Sequence, residues 1–338
     1  MTVLRAALAF SLTAAVLAAI AGCRGASVDP VVKDTVKDAV KDAVKDVVRD
    51  AVRDAVTDVE SATKESEAWR ATHEADYRRD WVTIAGLHFI EPGAYTAGSA
   101  RTNDIVLPSS VPGVIGRFVM EADVVRFEPE PGSPGSTVRL DGRPVTASVA
   151  LADDGAPMPD ELQVGNVRMV VHRSGKRKSL RVWDPTGELA RGFRGFTWFP
   201  IQMDHRVTGR FVPDAAPRDV QVLNTFGDLD TFKTEGVVEF SLRGQAVRLR
   251  AFTTRPKRLY FVFRDASSGQ ETYEAARFLY SDLRDDGTTV LDFNQAYNPP
   301  CAFNPYTTCP IPLPENRLTV KILAGERAYP VHPTLPRS

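Results

Sequence analysis

From residue 81 onward, short runs of β-branched and aromatic residues alternate with glycine, proline, aspartate and asparagine. Many such runs in series are typical of β-sandwiches and barrels. Asp141-Gly142 and Arg243-Gly244 stand between runs and indicate tight hairpin turns. The predicted strands cover residues 114–120, 123–128, 136–140, 167–172, 179–183, 206–212, 220–224, 231–242, 245–253, 259–264 and 318–323. The pattern therefore predicts a mainly β, antiparallel body, sandwich-like or barrel-like, with a seam between two β halves near residues 187–195.

A helix is expected just before this body. Residues 64–80 are rich in helix formers and place Trp69, His73 and Tyr77 at i, i+4 and i+8. That spacing puts the three aromatic rings on one helical face, which indicates a contact with the core. Periodic helical segments do not alternate with the later strands, so the pattern argues against a doubly wound α/β fold.

Residues 32–59 repeat a four-residue unit, VKDA or a close variant. Opposite charges fall at i,i+3 and like charges at i,i+4, so their effects on helix stability offset each other. A period of four also drifts around a helix of 3.6 residues per turn, which excludes a left-handed coiled coil. The repeat is interpreted as a solvated, partly helical spacer, with a self-associating or membrane-surface helix as the alternative.

The N-terminus has the pattern of a secretory signal. An apolar run at residues 6–21 is rich in small residues and too short for a membrane span. The residues Ala21-Gly22-Cys23 at the end of this run resemble the bacterial lipobox, whose cysteine is lipidated after cleavage. The alternative is an ordinary signal peptide. We therefore expect a lipid anchor on Cys23, and a location in the cell envelope outside the cytoplasm. Because Arg24 rather than aspartate follows the cysteine, the outer membrane is favoured in a Gram-negative host.

Composition limits the classes of function. The chain has 338 residues, a formal net charge of −1 and 43% hydrophobic residues, which is enough for a sizeable core. A nearly neutral charge balance argues against a nucleic-acid binder. The predicted organisation is a signal peptide at 1–22, an anchor and spacer at 23–63, and a β-rich domain at 64–338.

The segment 292–316 is the most distinctive part of the chain, since it is long, rich in proline and asparagine, and holds two cysteines. Long loops in compact domains are usually functional or fixed by internal contacts. On an oxidising side of a membrane, a disulfide between Cys301 and Cys309 is the simplest use of the pair. A metal or redox pair is the alternative.

Polar residues in and around this loop form a candidate ligand pocket, if the flanking strands are neighbours. Carboxylates and amides together suit sugar hydroxyls or a hard cation such as Ca²⁺, although no cofactor or metal is implied. They equally suit a buried network that fixes the loop by hydrogen bonds. The candidate residues are Asp265, Arg277, Asp292, Asn294, Asn298, Asn316 and Glu326.

No recognised catalytic motif is present: the sequence contains no HExxH, P-loop, GxSxG elbow or paired CxxC. The five histidines show no ligand spacing, and a serine triad cannot be assembled by inspection. The leading hypothesis is thus a non-enzymatic binding or structural module that binds a small polar ligand or an envelope component. The alternative is a hydrolase of envelope glycans or esters that uses Asp265, Asp292 and Glu326.

Two resemblances to known families follow from longer motifs. The segments DFNQAYNPPCAF, TTCPIPLPENRL and AGE, with FRD, SSG, ETY and RFL upstream, resemble the bacterial domain-of-unknown-function 1684 family across most of residues 69–329. That resemblance implies a family but no activity. The segments around Gly98-Ser99 and 103–107 are similar to forkhead-associated domains. Ser99 replaces the arginine that binds phosphothreonine there, which implies a shared sandwich shape without shared binding.

Overall fold

The computed structural model describes residues 30–130 and 137–330, with side chains from residue 40 onward except Ala55. The predicted signal sequence and Cys23 lie outside these residues. The chain divides between Ala68 and Trp69 into two compact units.

One helix, α1, spans Pro30–Asp80 and includes the whole four-residue repeat as well as the predicted helix at 64–80. In the repeat, Arg49 lies 3.0 Å from Asp46 and Arg53 lies 3.3 Å from Asp50, as expected for i,i+3 pairs. The repeat valines from Val44 to Val59 remain exposed in the single chain, with exposed fractions from 44% to 57%. Both interpretations of the repeat therefore stay open. Across the described residues, no helix is both long and apolar enough to cross a membrane.

The first β half is a sandwich of two sheets. Sheet I has the order β1-β11-β10-β9-β6-β7, and sheet II the order β3-β2-β4-β5-β8. Their facing side chains form one apolar core, with Phe118 and Phe127 fully buried, and along β4 and β5 these core residues alternate with more exposed ones. The strands of sheet I are β1 (Ile84–Ile90), β6 (Arg139–Leu140), β7 (Arg143–Pro144), β9 (Leu162–Val164), β10 (Val167–Ser174) and β11 (Arg177–Trp183). Those of sheet II are β2 (Gly93–Gly98), β3 (Ile105–Val106), β4 (Gly116–Glu121), β5 (Val124–Pro129) and β8 (Val149–Leu151).

The second β half is a single antiparallel sheet that almost closes into a barrel. Its order is β16-β15-β14-β13-β12-β17, and a bridge between Leu283 and Thr289 joins the two outer strands. The strands are β12 (Arg206–Leu223), β13 (Leu229–Leu242), β14 (Gln245–Arg255), β15 (Arg258–Phe263), β16 (Arg277–Asp282) and β17 (Thr288–Asp292). A short helix, α2 (Glu188–Gly192), lies in the segment between the two halves. The predicted mainly β, antiparallel body is confirmed.

The hairpin predictions are also confirmed. Arg243 and Gly244 have φ values of 51° and 79°, as a two-residue turn between β13 and β14 requires. One predicted strand is wrong, because residues 318–323 form no strand with a neighbour. Its backbone groups are divided between backbone and side chains instead: the Leu318 N–H donates to the Arg264 carbonyl and the Val320 carbonyl accepts from the Ala266 N–H. Asp265 accepts from the Ile322 N–H, and Arg277 donates to the Ile322 carbonyl.

Sheet I presents its second face to the proline-rich C-terminal loop. Trp183 packs there with Ile84 and Tyr306 in a small apolar cluster. The Asn304 side chain fixes the loop to the sheet by donating to the carbonyls of Trp81, at 2.9 Å, and Ile84, at 2.8 Å. Residues far apart in sequence are thereby brought together at this face.

The C-terminal turns of α1 contribute aromatic rings to the second β half, as the aromatic stripe predicts. The His73 ring lies 4.7 Å from Trp69, 4.2 Å from Tyr77 and 4.5 Å from Tyr297. Its buried Nε2 has no hydrogen-bond partner in the described part of the chain. Burial lowers the pKa of His73 from 6.5 to about 3. The imidazole is therefore neutral and acts as an aromatic core residue.

This burial makes stability dependent on pH. Below pH 6.5 His73 becomes protonated in the unfolded chain but stays neutral in the folded protein. The free energy of unfolding therefore decreases as the pH is lowered from 6.5 to about 3. At pH 5 the loss is about 2 kcal/mol. We expect His73→Phe to remove that part of the acid sensitivity while preserving the ring contacts. Urea unfolding of both proteins at pH 7.5 and pH 5 measures the difference; equal losses in the two proteins would contradict the prediction.

Candidate functional site

The predicted pocket residues near β15 and β16 form a buried ion pair. Arg277 Nη1 donates to Asp265 Oδ2 at 2.8 Å, and both side chains have an exposed fraction of 0%. The same guanidinium donates to the carbonyls of Ile322, at 3.0 Å, and Ala324. Asp265 also accepts from the N–H groups of Ser267 and Ile322. The pair therefore connects the barrel to the C-terminal segment, although the buried Arg277 Nε has no hydrogen-bond partner among the described residues.

A second group lies at the end of β17. Asp292 Oδ2 accepts from Arg206 Nη1 at 2.6 Å, and Asp292 Oδ1 accepts from the backbone and side-chain amides of Asn294. The Asn294 side chain in turn donates to the Gln202 carbonyl and accepts from the Gln202 N–H. This arrangement ends β17 and fixes the turn that follows it.

The other predicted residues also bond to protein atoms, although the buried Asn298 Oδ1 has no hydrogen-bond partner among the described residues. The Asn298 backbone and side-chain amides each donate to the Glu326 carboxyl group at 2.8 Å. Burial raises the pKa of Glu326 to about 8, although the Asn298 hydrogen bonds oppose that rise. Asn316 pairs with the backbone of Arg250 in both directions and also donates to the Val262 carbonyl.

The seven predicted residues thus form three pairs, with Asn316 apart from them beside Arg250. Their amides and carboxylates are turned toward backbone groups of the barrel and of the C-terminal segment. None of these seven residues contributes to the walls of the three surface cavities that are described below. The geometry is that of a hydrogen-bonded network that fixes the loop, which was one of the two interpretations of the sequence.

The predicted disulfide between Cys301 and Cys309 is absent from the structure, which contains both residues as buried free thiols. The Cys301 N–H donates to Cys309 Sγ at 3.3 Å, and the Tyr273 hydroxyl donates to Cys301 Sγ at 3.6 Å. Burial raises the pKa of Cys301, so this sulfur stays protonated. The asparagine hydrogen bonds described above fix the loop in the structure without a covalent bridge.

A groove follows the segment between the two β halves. One cavity of about 370 Å³ and one of about 420 Å³ share Ala85, Asp184, Gly187 and Glu188 in their walls. We call this pair of cavities the 184–191 groove. The remaining lining residues are Val82, Thr83, Ile84, Leu189, Ala190, Pro305 and Tyr306 on one side, and His88, Val106, Leu107, Pro108, Ser109, Ser110, Val182, Thr186 and Arg191 on the other.

The chemistry of the 184–191 groove is suited to polar ligands. Asp184 Oδ1 accepts from the Thr186 N–H at 2.8 Å and from its hydroxyl at 2.7 Å, which shapes the turn after β11. Burial lowers the pKa of His88, so its imidazole is neutral near pH 7. Ser109 and Ser110 line the same cavity as Asp184 and His88. Carboxylate, imidazole and hydroxyl groups thus share one surface depression. In the part of the chain that the structure describes, no group of three or more metal-ligating side chains is placed to hold a metal ion.

Sequence reasoning did not single out this groove. The seam between the two β halves was predicted near residues 187–195, but Asp184, His88 and Ser109 belong to no recognised sequence motif. The one available signal was the Asp-Pro-Thr-Gly sequence at 184–187, which predicts a turn directly after a strand. The cavities themselves depend on which loops pack beside that turn.

Comparisons with known proteins identify a family without an assigned function. A family model described as "Protein of unknown function (DUF1684)" matches residues 191–327. An uncharacterised protein of Haloarcula marismortui, solved by solution NMR, is 31% identical, with 43% of this chain and 82% of that chain covered and a TM-score of 0.36. No curated protein matches the chain.

Forkhead-associated domains are also among the similar structures. The FhaA domain in complex with an intracellular protein domain is 15% identical, with 28% of this chain and 96% of that chain covered and a TM-score of 0.20. Mycobacterium tuberculosis EmbR, in complex with a low-affinity phosphopeptide, is 15% identical, with 49% of this chain and 39% of that chain covered and a TM-score of 0.20.

Proposed function

Because the chain belongs to the DUF1684 family, whose function is unknown, we propose a function from its own residues: it is a lipid-anchored envelope protein that binds a small polar ligand. The lipid anchor is inferred from the lipobox-like sequence that ends at Cys23. Labelling of the protein with palmitate in cells, lost in Cys23→Ala, tests that part. The spacer at 32–59 then separates the membrane from the β body.

The observation that carries ligand binding is the 184–191 groove, with its shared wall of Asp184, Gly187 and Glu188. Ligand pockets combine an apolar wall with a few convergent polar groups, and this groove has both. Ser109 and Ser110 are exposed at its rim, whereas Asp184 is buried. Mono- and oligosaccharides or peptidoglycan fragments match this set of hydroxyl-binding groups, and they are the ligand class that we propose.

The alternative of a hydrolase that uses Asp265, Asp292 and Glu326 gains no support from the geometry. Asp265 pairs with Arg277, Asp292 pairs with Arg206, and Glu326 accepts two hydrogen bonds from Asn298. Each carboxylate is thus engaged in the folded core, so we do not retain this alternative.

A thermal-shift screen of the full chain in detergent tests the proposed function. Its panel contains mono- and oligosaccharides, peptidoglycan fragments, and divalent cations with and without EDTA. A ligand at 100 times its Kd stabilises the folded state by about 2.7 kcal/mol, which raises Tm by several degrees. We expect Ser109→Trp to fill the groove and abolish that rise without disturbing buried atoms.

The matched control is Thr146→Trp, which places the same ring in a separate surface depression lined by residues 140–149. It should leave the ligand-induced rise in Tm intact. A rise that persists in Ser109→Trp, or the absence of any rise across the panel with the wild-type chain, would refute binding in the 184–191 groove.

A further inference from the structure

Three side chains on the second face of sheet I are hydrogen-bonded in series. Asp154 Oδ2 lies 2.5 Å from His172 Nδ1, and His172 Nε2 lies 3.1 Å from Thr308 Oγ1. Asp154 follows β8, His172 lies in β10, and Thr308 comes from the C-terminal loop that packs on this face. The loop therefore supplies a hydroxyl to an imidazole that is already oriented by a carboxylate.

This order of groups is that of an activated nucleophile: a hydroxyl, a base within hydrogen-bond reach, and an acidic group that orients the base. With a proton on Nδ1 facing Asp154, the Nε2 lone pair faces Thr308. The His172 side chain is 11% exposed and that of Asp154 is 30% exposed, while Thr308 is half-buried. The series is thus partly sheltered, and its ends still meet solvent.

The guanidinium of Arg181, which is only partly paired, lies beside this Asp154–His172–Thr308 series. Arg181 Nη1 lies 3.9 Å from the same Asp154 Oδ2, and the Arg181 side chain is only 9% exposed. Its buried Nε has no hydrogen-bond partner among the described residues. Buried polar groups in native proteins are nearly always satisfied, so an unpartnered guanidinium nitrogen indicates a place for an anion or a developing oxyanion.

We propose that Thr308 is the nucleophile of an esterase centre in which His172 is the base, Asp154 orients the imidazole, and Arg181 stabilises negative charge. The substrate class is carboxylic esters. This activity goes beyond ligand binding in the 184–191 groove, since none of these four residues lines that groove.

The reaction balances with ester and water alone. The Thr308 hydroxyl proton moves to His172 Nε2 as Oγ1 bonds to the ester carbonyl carbon. The carbon–oxygen bond to the alcohol then breaks, and the departing alkoxide takes the proton from Nε2. Water next attacks the acyl-threonine and gives a proton to Nε2. Breaking the Thr308 Oγ1–carbon bond returns that proton to Oγ1 and releases the acid.

The pH dependence follows from the groups around the imidazole. Burial and the Arg181 charge lower the pKa of His172, whereas Asp154 and Asp230 act in the opposite direction, and the net shift is downward. The base is therefore mostly unprotonated at pH 7, and the midpoint of the acid limb of the rate profile should lie below pH 6.5. Loss of activity already at pH 7 would contradict this assignment of the base.

Hydrolysis of p-nitrophenyl acetate by the full chain in detergent tests the esterase centre. We expect Thr308→Val to lower kcat/KM by about a thousand-fold, whereas Thr308→Ser should retain hydrolysis because it keeps the hydroxyl. The matched control, Thr208→Val, removes an exposed hydroxyl of β12 and should leave the rate unchanged.

Mass spectrometry of the acylated protein provides a readout that does not depend on the stability of a variant. An acetyl group on the peptide that contains Thr308, absent in Thr308→Val, supports the proposal. A wild-type rate no higher than that of Thr308→Val, or an acetyl group confined to other residues, would overturn it. Either result would leave the proposed ligand binding in the 184–191 groove unaffected, because the thermal-shift screen tests that binding with a different variant, Ser109→Trp, and a different readout.

Discussion

Replacing Arg277 with methionine should destabilise the chain by about 3–5 kcal/mol, because the change leaves the Asp265 carboxylate buried without its counter-ion. Both side chains of this pair are fully buried. Methionine fills much of the space of the arginine stem, so the lost charge and hydrogen bonds dominate the effect. The carbonyls of Ile322 and Ala324 also lose their donors, which should loosen the C-terminal segment. Urea unfolding measures the change.

An exposed pair in the same sheet provides the control. Arg258 donates to Asp282 at 2.8 Å, but the Asp282 side chain is 72% exposed. Arg258→Met should therefore cost less than about 1 kcal/mol. The double variant Asp265→Leu with Arg277→Met should recover part of the loss, since it removes both buried charges. Equal effects of the two single arginine variants would show that the buried pair has no special role.

Gly325→Ala should be at least as damaging, with an expected loss of about 4 kcal/mol or more. Gly325 has a φ of 79°, and a Cβ atom there would lie 2.2 Å from the Ala296 carbonyl oxygen and 2.7 Å from that of Phe293. Neither contact can be relieved by a side-chain rotation. The backbone would have to shift, and with it the neighbouring Glu326 N–H bond to Ala296.

Gly287→Ala separates the two components of that loss. Gly287 has a φ of 77°, and a Cβ atom there would meet no atom within 4 Å. It therefore carries only the cost of a left-handed conformation, about 1–2 kcal/mol. If Gly325→Ala and Gly287→Ala lower the free energy of unfolding equally, close packing at residue 325 is not the cause.

The strands of the body could be predicted because alternation and turn residues are local properties of the sequence. The hairpin at Arg243-Gly244 follows from two adjacent residues. The run at 318–323 has the composition of a strand, yet two of its backbone groups bond to the segment 264–266 and those of Ile322 bond to the side chains of Asp265 and Arg277. Nothing local distinguishes a backbone group that pairs with a strand from one that pairs with a buried side chain.

The candidate sites were harder to predict for the same reason. The polar residues near the C-terminal loop were identified by type, but their partners depend on strand register. His172 and Thr308 are 136 positions apart and meet only because the loop folds back on sheet I. The predicted disulfide relied on the expected oxidising location of Cys301 and Cys309, which describes neither the direction of their Cβ atoms nor their hydrogen bonds.

The bridge between Leu283 and Thr289 affects how this protein behaves when its copies are crowded together. In an open six-stranded sheet, β16 and β17 would each expose a row of unpaired N–H and carbonyl groups. Such rows are templates on which a second chain adds a strand and aggregation begins. The two edges instead meet at the Leu283–Thr289 bridge, and Thr289 Oγ1 also lies 2.8 Å from Ser281 Oγ and 2.9 Å from the Asp282 carbonyl oxygen across the junction. This half of the molecule consequently offers neighbouring copies little sheet edge to extend.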